Sequence, residues 1–573
     1  MTDTVPTIDT DGSTDEEPQD RTIDRRWFVS RSAAAVAGGA AVMWVGTGRA
    51  AAAPDLADNA LAYADNVRPE AVEDLTELTI AEAAELFRRG RLKPADLMAA
   101  YYDRLEKYED IYQAFNDLKS RETVLAEAAA LGRRPRRSPL WGTAQAPKDN
   151  YYTTDLLTTG QSPVYTDFRP DFDATCITRL RTANSIIIGK AQMGPLASGR
   201  GVIPGTNIPP CRNAWTPDDI RYNPSGSSGG TATAVAARLA TGGIGTQTGG
   251  SITSPSTAQN MTGMAPTFGR TSLFGVIPLS YNVDRTGPIA RDVKDCAIIL
   301  QELAGADAND PRTRGLPPVP DFVKAATPVT KRGKVVPRYP TTIGVPPDFL
   351  SGSDAQVVAL RQAALAKLTE VGYKVVDVTY PDEWALLTGD LAETQNATGA
   401  HYFMDELKKD VAQFGPRLTG FLPYVLRSAP GVLKIQQACV ILLHRILNDL
   451  LKQCDVVFVN AGNFNRPGLP TIAMPIGMGT DATTGLTVPR GVVLGGAPFG
   501  EERLLSVVAA FQAVTDHHLR RPPDPTLPAP APAAAALSTF AATASPVGSS
   551  LREQILAENA RHPVDAAEQA AQY

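Results

Sequence analysis

The stretch Gly242–Pro255, GGIGTQTGGSITSP, constrains this chain more than any other. A backbone with glycine at 242, 243, 245, 249 and 250 can approach other atoms closely and take angles closed to other residues. The Gly249-Gly250-Ser251 turn can aim several N–H groups at one point, which suits a developing oxyanion. Upstream, Asn223–Thr231 reads NPSGSSGGT and places Ser227 24 positions before Ser251. Further upstream, Ala146–Asn150 reads APKDN and contributes Lys148. One lysine and two serines in glycine-rich turns suggest a nucleophile activated without histidine.

A chain of 573 residues has room for a large core and, by size alone, more than one domain. Its net charge of −6 points to neither nucleic acid nor an anionic membrane surface. The five cysteines, Cys176, Cys211, Cys296, Cys439 and Cys454, form no CxxC pair, which argues against a zinc site or a disulfide framework. The five histidines, His401, His444, His517, His518 and His562, all stand far from the serine motifs in sequence. That weakens a Ser-His-Asp reading without removing it, because triad members meet in space.

Residues 1–24 are acidic and polar and are expected to be disordered. Arg25-Arg26 then precedes an apolar run from Ala33 to Val45 and the small residues Ala50–Pro54. This is the pattern of a twin-arginine export signal, cut near Ala51–Ala53, and it predicts a periplasmic or extracellular protein that meets the membrane only during export. Its apolar stretch is short for a membrane anchor. The expected division is 1–53 as disordered N-terminus and signal, 54–521 as the enzyme domain, and 522–573 as a Pro/Ala-rich tail with one short helix over Leu551–Ala560.

Within 54–521, apolar periodicity predicts helices at Thr79–Arg89, Lys93–Tyr108, Thr123–Ala130, Asp173–Ala183, Thr231–Ala240, Asp292–Leu303, Asp354–Val371 and Glu501–Asp516. Strands are expected at Ser185–Ile188 (ending at Gly189), Thr342–Val345, Lys374–Val378, Asp455–Val459 and Thr471–Pro475. The alternation indicates an α/β fold with a central mixed sheet surrounded by helices.

Each motif has a competing explanation. A lone lysine such as Lys148 is ordinarily a solvated charge, and it serves as a base only if burial keeps it neutral. Gly226-x-Ser228-x-Gly230 matches the nucleophile elbow of α/β-hydrolases, which needs a strand directly before it. The preceding Pro217–Pro224 is polar and proline-bearing, so it is not expected to be that strand. The Gly245–Ser251 turn lacks the GxxxxGK[ST] pattern of a phosphate loop.

Taken together, Lys148 in PKDN, Ser227 in GSSGG and Ser251 in GTQTGGS resemble the amidase signature family. Ala174–Met193, Pro266–Arg270, Gly287–Arg291, Gly468–Pro470 and Gly495–Pro498 look like that family's flanking segments. The resemblance spans about residues 75 to 520. It implies the amidase-signature fold and hydrolysis of amide C–N bonds. It also implies roles: Ser251 as nucleophile, Ser227 after a cis peptide as proton relay, Lys148 as neutral base, and the N–H groups of Thr248, Gly249, Gly250 and Ser251 as oxyanion hole. No metal or cofactor is implied.

The sequence departs from the family at Gln247, where Asp is common, and at Thr253, where Arg is common, so an uncharged contact is expected in place of a charge pair. Gly194 and Ala265 replace a usual acid and a usual lysine. The expected substrate is a small-molecule or peptide amide, an aryl or acyl amide, or a carbamate. The alternatives are a glutamyl-tRNA amidotransferase A-like subunit, an α/β-hydrolase esterase using Ser228, and a non-catalytic binding relative. Export argues against the tRNA-linked subunit, whose work is cytoplasmic. Tyr151–Gln161, Ala197–Ile208 and Glu383–Leu426 are candidate pocket walls, although their aromatic residues equally suit core packing. Oligomeric state is not readable from the sequence.

Overall fold

The computed structural model describes residues 72–527, apart from 133, 135, 200–208, 353, 390, 416 and 427–428. The expected export signal and the tail beyond 527 lie outside the described residues.

Ten strands form one sheet. In chain order they are β1 (Ala144–Pro147), β2 (Ile186–Ile187), β3 (Gly242–Gln247), β4 (Thr262–Ala265), β5 (Arg285–Ala290), β6 (Thr342–Val345), β7 (Lys374–Asp377), β8 (Val456–Phe458), β9 (Thr471–Thr480) and β10 (Thr487–Gly496). The spatial order is β7-β6-β8-β10-β9-β4-β5-β3-β1-β2. Pairs at both ends are parallel, β6 with β7 and β8, β1 with β2 and β3. The middle is antiparallel. The sheet is therefore mixed, with helices packed against it.

Strand alternation divides the core in two. On β3 and β5 the register pairs Gly243 with Ile289 and Ile244 with Pro288. Ile289 joins a cluster with Leu97, Tyr101, Ile188 and Ile252, while Ile244 joins the opposite one with Ile177, Ile299, Phe458 and Leu505.

Most predicted helices are present within a residue or two. Helix α1 (Ile80–Arg88) starts from a Thr79–Glu82 capping box, and α2 (Pro94–Tyr112) carries Leu97, Tyr101 and Leu105 on its buried face. The helix expected over Lys93–Tyr108 runs on to Tyr112, the one expected over Thr231–Ala240 spans Gly229–Ala236, and the strand expected over Thr471–Pro475 runs on to Thr480. Three further expectations need correction. The chain does not leave the extended state at Gly189: Gly189–Ala191 continues as a strand and pairs with Phe115–Leu118. A Cβ at 189 would lie 2.6 Å from the Asp117 carbonyl, so glycine permits that pairing rather than ending it. The closing helix ends at Gln512, not Asp516. Residues just beyond 521 still hold to the domain: Asp524 accepts from Arg104 at 2.5 Å and Asp218 accepts from the Thr526 hydroxyl at 2.8 Å.

Five of the ten strands, β1, β3, β4, β5 and β10, are missing from the sequence reading, and β3 is the one that bears most on the site. Its sequence GGIGTQ has little strand propensity, yet it is a buried central strand. The reason lies above it. A Cβ at Gly245 would stand 2.6 Å from the Ser228 hydroxyl, so glycine lets the start of α3 (Gly229–Ala236) settle onto the strand.

Candidate active site

Three chain segments meet at the end of β3. Lys148 follows β1 directly and its N–H donates to the Ile244 carbonyl of β3 (2.9 Å). Ser227 lies just before α3, after a cis Gly226–Ser227 peptide. Ser251 stands in the turn between β3 and the short helix α4 (Thr253–Ala258). The Ser228 N–H donates to the Ser251 carbonyl at 3.1 Å and ties the two serine segments together.

Lys148 and Ser227 are wholly buried. The Lys148 amine is 2.7 Å from Ser227 Oγ, 2.9 Å from Thr246 Oγ1 and 3.3 Å from the Thr246 carbonyl. Burial depresses the Lys148 pKa to about 7, against a smaller opposing pull from the Asp284 carboxylate. Its neighbour Asp149 does not offset this, because it forms a buried ion pair with Lys190 at 3.2 Å. Burial thus favours the uncharged amine, the state a base requires. Ser227 Oγ in turn donates to the Ala197 carbonyl at 2.7 Å.

Ser251 differs in being half-exposed, as are Gly249 and Gly250. Among the described residues, its hydroxyl has no hydrogen-bond partner, and the backbone N–H groups of Thr248, Gly249, Gly250 and Ser251 donate to nothing. Unpaired N–H groups at a reachable turn can receive an anionic oxygen. The turn is held from both sides. Gln247 Oε1 accepts from the N–H groups of Ile252 (2.6 Å) and Thr253 (2.8 Å) and from the Thr253 hydroxyl (3.2 Å). The uncharged Gln247–Thr253 contact expected from the sequence is thus present. Asn465 Nδ2 donates to the Gly249 carbonyl at 2.8 Å.

The structure therefore brings Lys148, Ser227, Thr248, Gly249, Gly250 and Ser251 into one site. Ser228, the elbow candidate, is different. No strand occurs among the described residues from 209 to 228, and the Ser228 side chain is fully buried, donating to the Thr246 carbonyl at 3.3 Å. The candidate wall residue Tyr151 is also core: it is fully buried and its hydroxyl donates to the Gly245 carbonyl (2.6 Å). Phe403, Phe414 and Phe421 pack on one another beside Tyr165 and Ile277. Most of the wall candidate Ala197–Ile208 lies outside the described residues.

Sequence reasoning missed Thr246, the Ala197 carbonyl, Asp284 and Asn465. Thr246 lies inside the singled-out stretch, and its position two residues before Thr248 was the available signal. The Ala197 carbonyl has no side-chain signature. Among the described residues, no group of three or more His, Cys, Asp or Glu could hold a metal ion, and no helix is long and apolar enough to cross a membrane.

Residues 96–426 match the Amidase family. The glutamyl-tRNA(Gln) amidotransferase A subunit of Moorella thermoacetica is 32% identical over 505 residues, covering 78% of this chain and 99% of that protein. The corresponding protein of Roseiflexus castenholzii is 32% identical over 499 residues, with 78% and 98% covered. Among solved structures, the native peptide amidase of Stenotrophomonas maltophilia is similar with a TM-score of 0.66 and 26% identity, over 78% of this chain and 99% of that one. A mixed sheet wrapped in helices, with this match along the chain, defines an enzyme that hydrolyses amide C–N bonds. The chain belongs to the amidase family.

Proposed function

We propose that this amidase works through an acyl-enzyme formed on Ser251, with Ser227 and neutral Lys148 as its proton relay. The observation that carries this reading is the 2.7 Å contact between a fully buried amine and Ser227, beside a serine that remains accessible. A serine hydroxyl barely ionises at neutral pH, so attack on an acyl carbon needs a base to take its proton. Ser251 Oγ bonds to the carbonyl carbon as its proton moves to Ser227 Oγ, and the Ser227 proton moves to Lys148 Nζ. The tetrahedral oxyanion is received by the N–H groups of Thr248 to Ser251, at the scale of several kcal/mol usual for such donors. The relay then returns the proton to the leaving nitrogen as the C–N bond breaks, because an amide anion cannot depart. Water repeats the sequence on the acyl-enzyme, releasing the acid and restoring Ser251.

Labelling with a fluorophosphonate and mapping the adduct by mass spectrometry tests this. Modification at Ser251, lost in Lys148→Ala, is the expected result. Modification at Ser228, or undiminished labelling in the lysine variant, overturns it.

For substrate, we propose a peptide amide, an aryl or acyl amide, or a carbamate. The likeness to a peptide amidase supports the first, and the arginine pair with its apolar run supports a protein working outside the cytoplasm. The second reading, an amidotransferase A-like subunit, is favoured by the sequence likeness to proteins of that name and opposed by the export pattern. Ammonia release from an amidated dipeptide by the protein alone supports hydrolysis of peptide amides. Release from glutamine only, and only with partner chains added, supports the amidotransferase reading. Fusion of residues 1–54 to a reporter should direct export that Arg25→Lys with Arg26→Lys abolishes.

A further inference from the structure

Asp284 immediately precedes β5, and none of the sequence motifs includes it. It is buried, and both of its carboxyl oxygens accept hydrogen bonds from the site's frame. One oxygen accepts from the Thr248 hydroxyl at 2.5 Å; the other accepts from the N–H groups of Leu279 (2.8 Å) and Ser280 (2.9 Å). Its own N–H donates to the Ser280 carbonyl (2.9 Å), closing the turn from 279 to 284. Burial pushes its pKa up, while the hydrogen bonds to its carboxyl oxygens and the charge of Lys148, which follows β1, pull it back; Arg285, the first residue of β5, also feels its charge. Arg312 and Asp310 reach the neighbouring backbone elsewhere, at the Tyr281 carbonyl and the Leu273 N–H.

The geometry points to Asp284 as a positioning residue for the reaction: through Thr248 it holds one edge of the Ser251 turn, two residues beyond the Thr246 hydroxyl that the Lys148 amine contacts, and it places a carboxylate charge in the same buried region as that amine. The inference rests on the Ser-Ser-Lys reading above. A negative charge near an amine favours the ammonium form, so Asp284 opposes the effect of burial on Lys148. Burial alone would leave the amine a weaker base; the carboxylate retains part of its proton affinity. Asp284 thus tempers the effect of burial on the relay's basicity, while its hydrogen bonds hold the turn.

The two roles separate by substitution. In Asp284→Asn the side-chain oxygen can still accept from Leu279 and Ser280 while the amide donates to Thr248, so shape is kept and charge is lost. In Thr248→Val the charge is kept and the tether is lost. For the wild type and each variant, kcat/KM and the rate of fluorophosphonate labelling of Ser251 are measured from about pH 5 to pH 9. The expected result for Asp284→Asn is a rising limb moved about one pH unit lower, the scale of one neighbouring charge. For Thr248→Val the limb stays in place and the plateau falls about tenfold or more.

An Asp284→Asn limb that coincides with the wild type overturns the inference, whether or not the plateau falls, since a structural role alone lowers rate without moving the limb. Should that variant fail to fold, a Thr248→Val plateau equal to the wild type overturns it instead. The two readings fail differently. Labelling away from Ser251, or labelling that survives Lys148→Ala, sinks the Ser-Ser-Lys reading. Labelling at Ser251 that Lys148→Ala abolishes and whose limb ignores Asp284→Asn sinks only this one.

Discussion

Two lysines, Lys148 and Lys190, are buried to the same degree, at 0% exposure, and burial lowers the pKa of both. Their surroundings differ. Lys190 meets Asp149 at 3.2 Å, donates to Thr158 Oγ1 at 2.7 Å and to the Leu157 carbonyl at 3.1 Å, and feels the charges of Asp117 and Asp155. Lys148 touches hydroxyls and a carbonyl, with no carboxylate in contact among the described residues. In the first seat an ion pair with Asp149 opposes the effect of burial and fastens the loop after β1 to the strand Gly189–Ala191. In the second, burial favours the neutral amine, which sits against a serine. The proposed relay thus assigns chemistry to the lysine without a carboxylate partner and structure to the one that has it.

Substituting each lysine by methionine tests that distinction most sharply. Lys148→Met should abolish turnover, with kcat reduced about 10⁴-fold or more, as when a serine nucleophile loses its base. Lys190→Met should retain measurable turnover in its folded fraction. Comparable losses in both variants, per folded molecule, would erase the distinction.

The second effect is on stability and runs the other way. Lys190→Met leaves the Asp149 carboxylate buried without its cation, which costs about 3–5 kcal/mol in a denaturant titration. Lys148→Met removes a group that folding holds below its ordinary pKa. The wild-type folded state binds fewer protons at this site than the unfolded chain between the ordinary lysine pKa and about 7. Wild-type stability therefore falls as pH drops through that window. The advantage of Lys148→Met over wild type should grow from about pH 10 down to about pH 7 and level off below, reaching a few kcal/mol. The same titration makes wild-type kcat/KM rise as pH climbs through about 7. A stability difference independent of pH would mean that Lys148 stays charged.

Much of this arrangement was legible in the sequence, and the illegible part has a physical cause. Lys148, Ser227 and Ser251 were legible as candidates because three short patterns, ambiguous one by one, together resemble a single family. Helices such as α2 and Val293–Leu303 show their buried face by spacing alone. β3 gave no strand signal, because the need for close approach by Ser228 selected glycine over β-formers. The supports of the site were hidden because they arrive from distant chain positions or act through backbone groups. Gln247 was visible as a departure from family habit, but its function as an acceptor for Ile252 and Thr253 depends on the turn's three-dimensional path.

Asn465 shows how such a hidden support acts, and it yields the smallest of these effects. A peptide unit is planar, so the carbonyl of Gly249 and the N–H of Gly250 point in opposite directions. Asn465 fixes that carbonyl at 2.8 Å, while Arg285 holds the Asn465 backbone carbonyl and Thr471 donates to its side-chain oxygen at 3.2 Å. With the carbonyl anchored on one side, the Gly250 N–H is presented on the other, among the unpaired N–H groups of the turn. Asn465→Ala frees the peptide plane without touching the lysine or either serine. The expected outcome is a fall in kcat of about tenfold, on the scale of 1.4 kcal/mol, with KM and the pH limb unchanged. A shift in the pH limb instead would tie Asn465 to the lysine seat, and an unchanged kcat would show that the Gly250 N–H takes no part in holding the oxyanion.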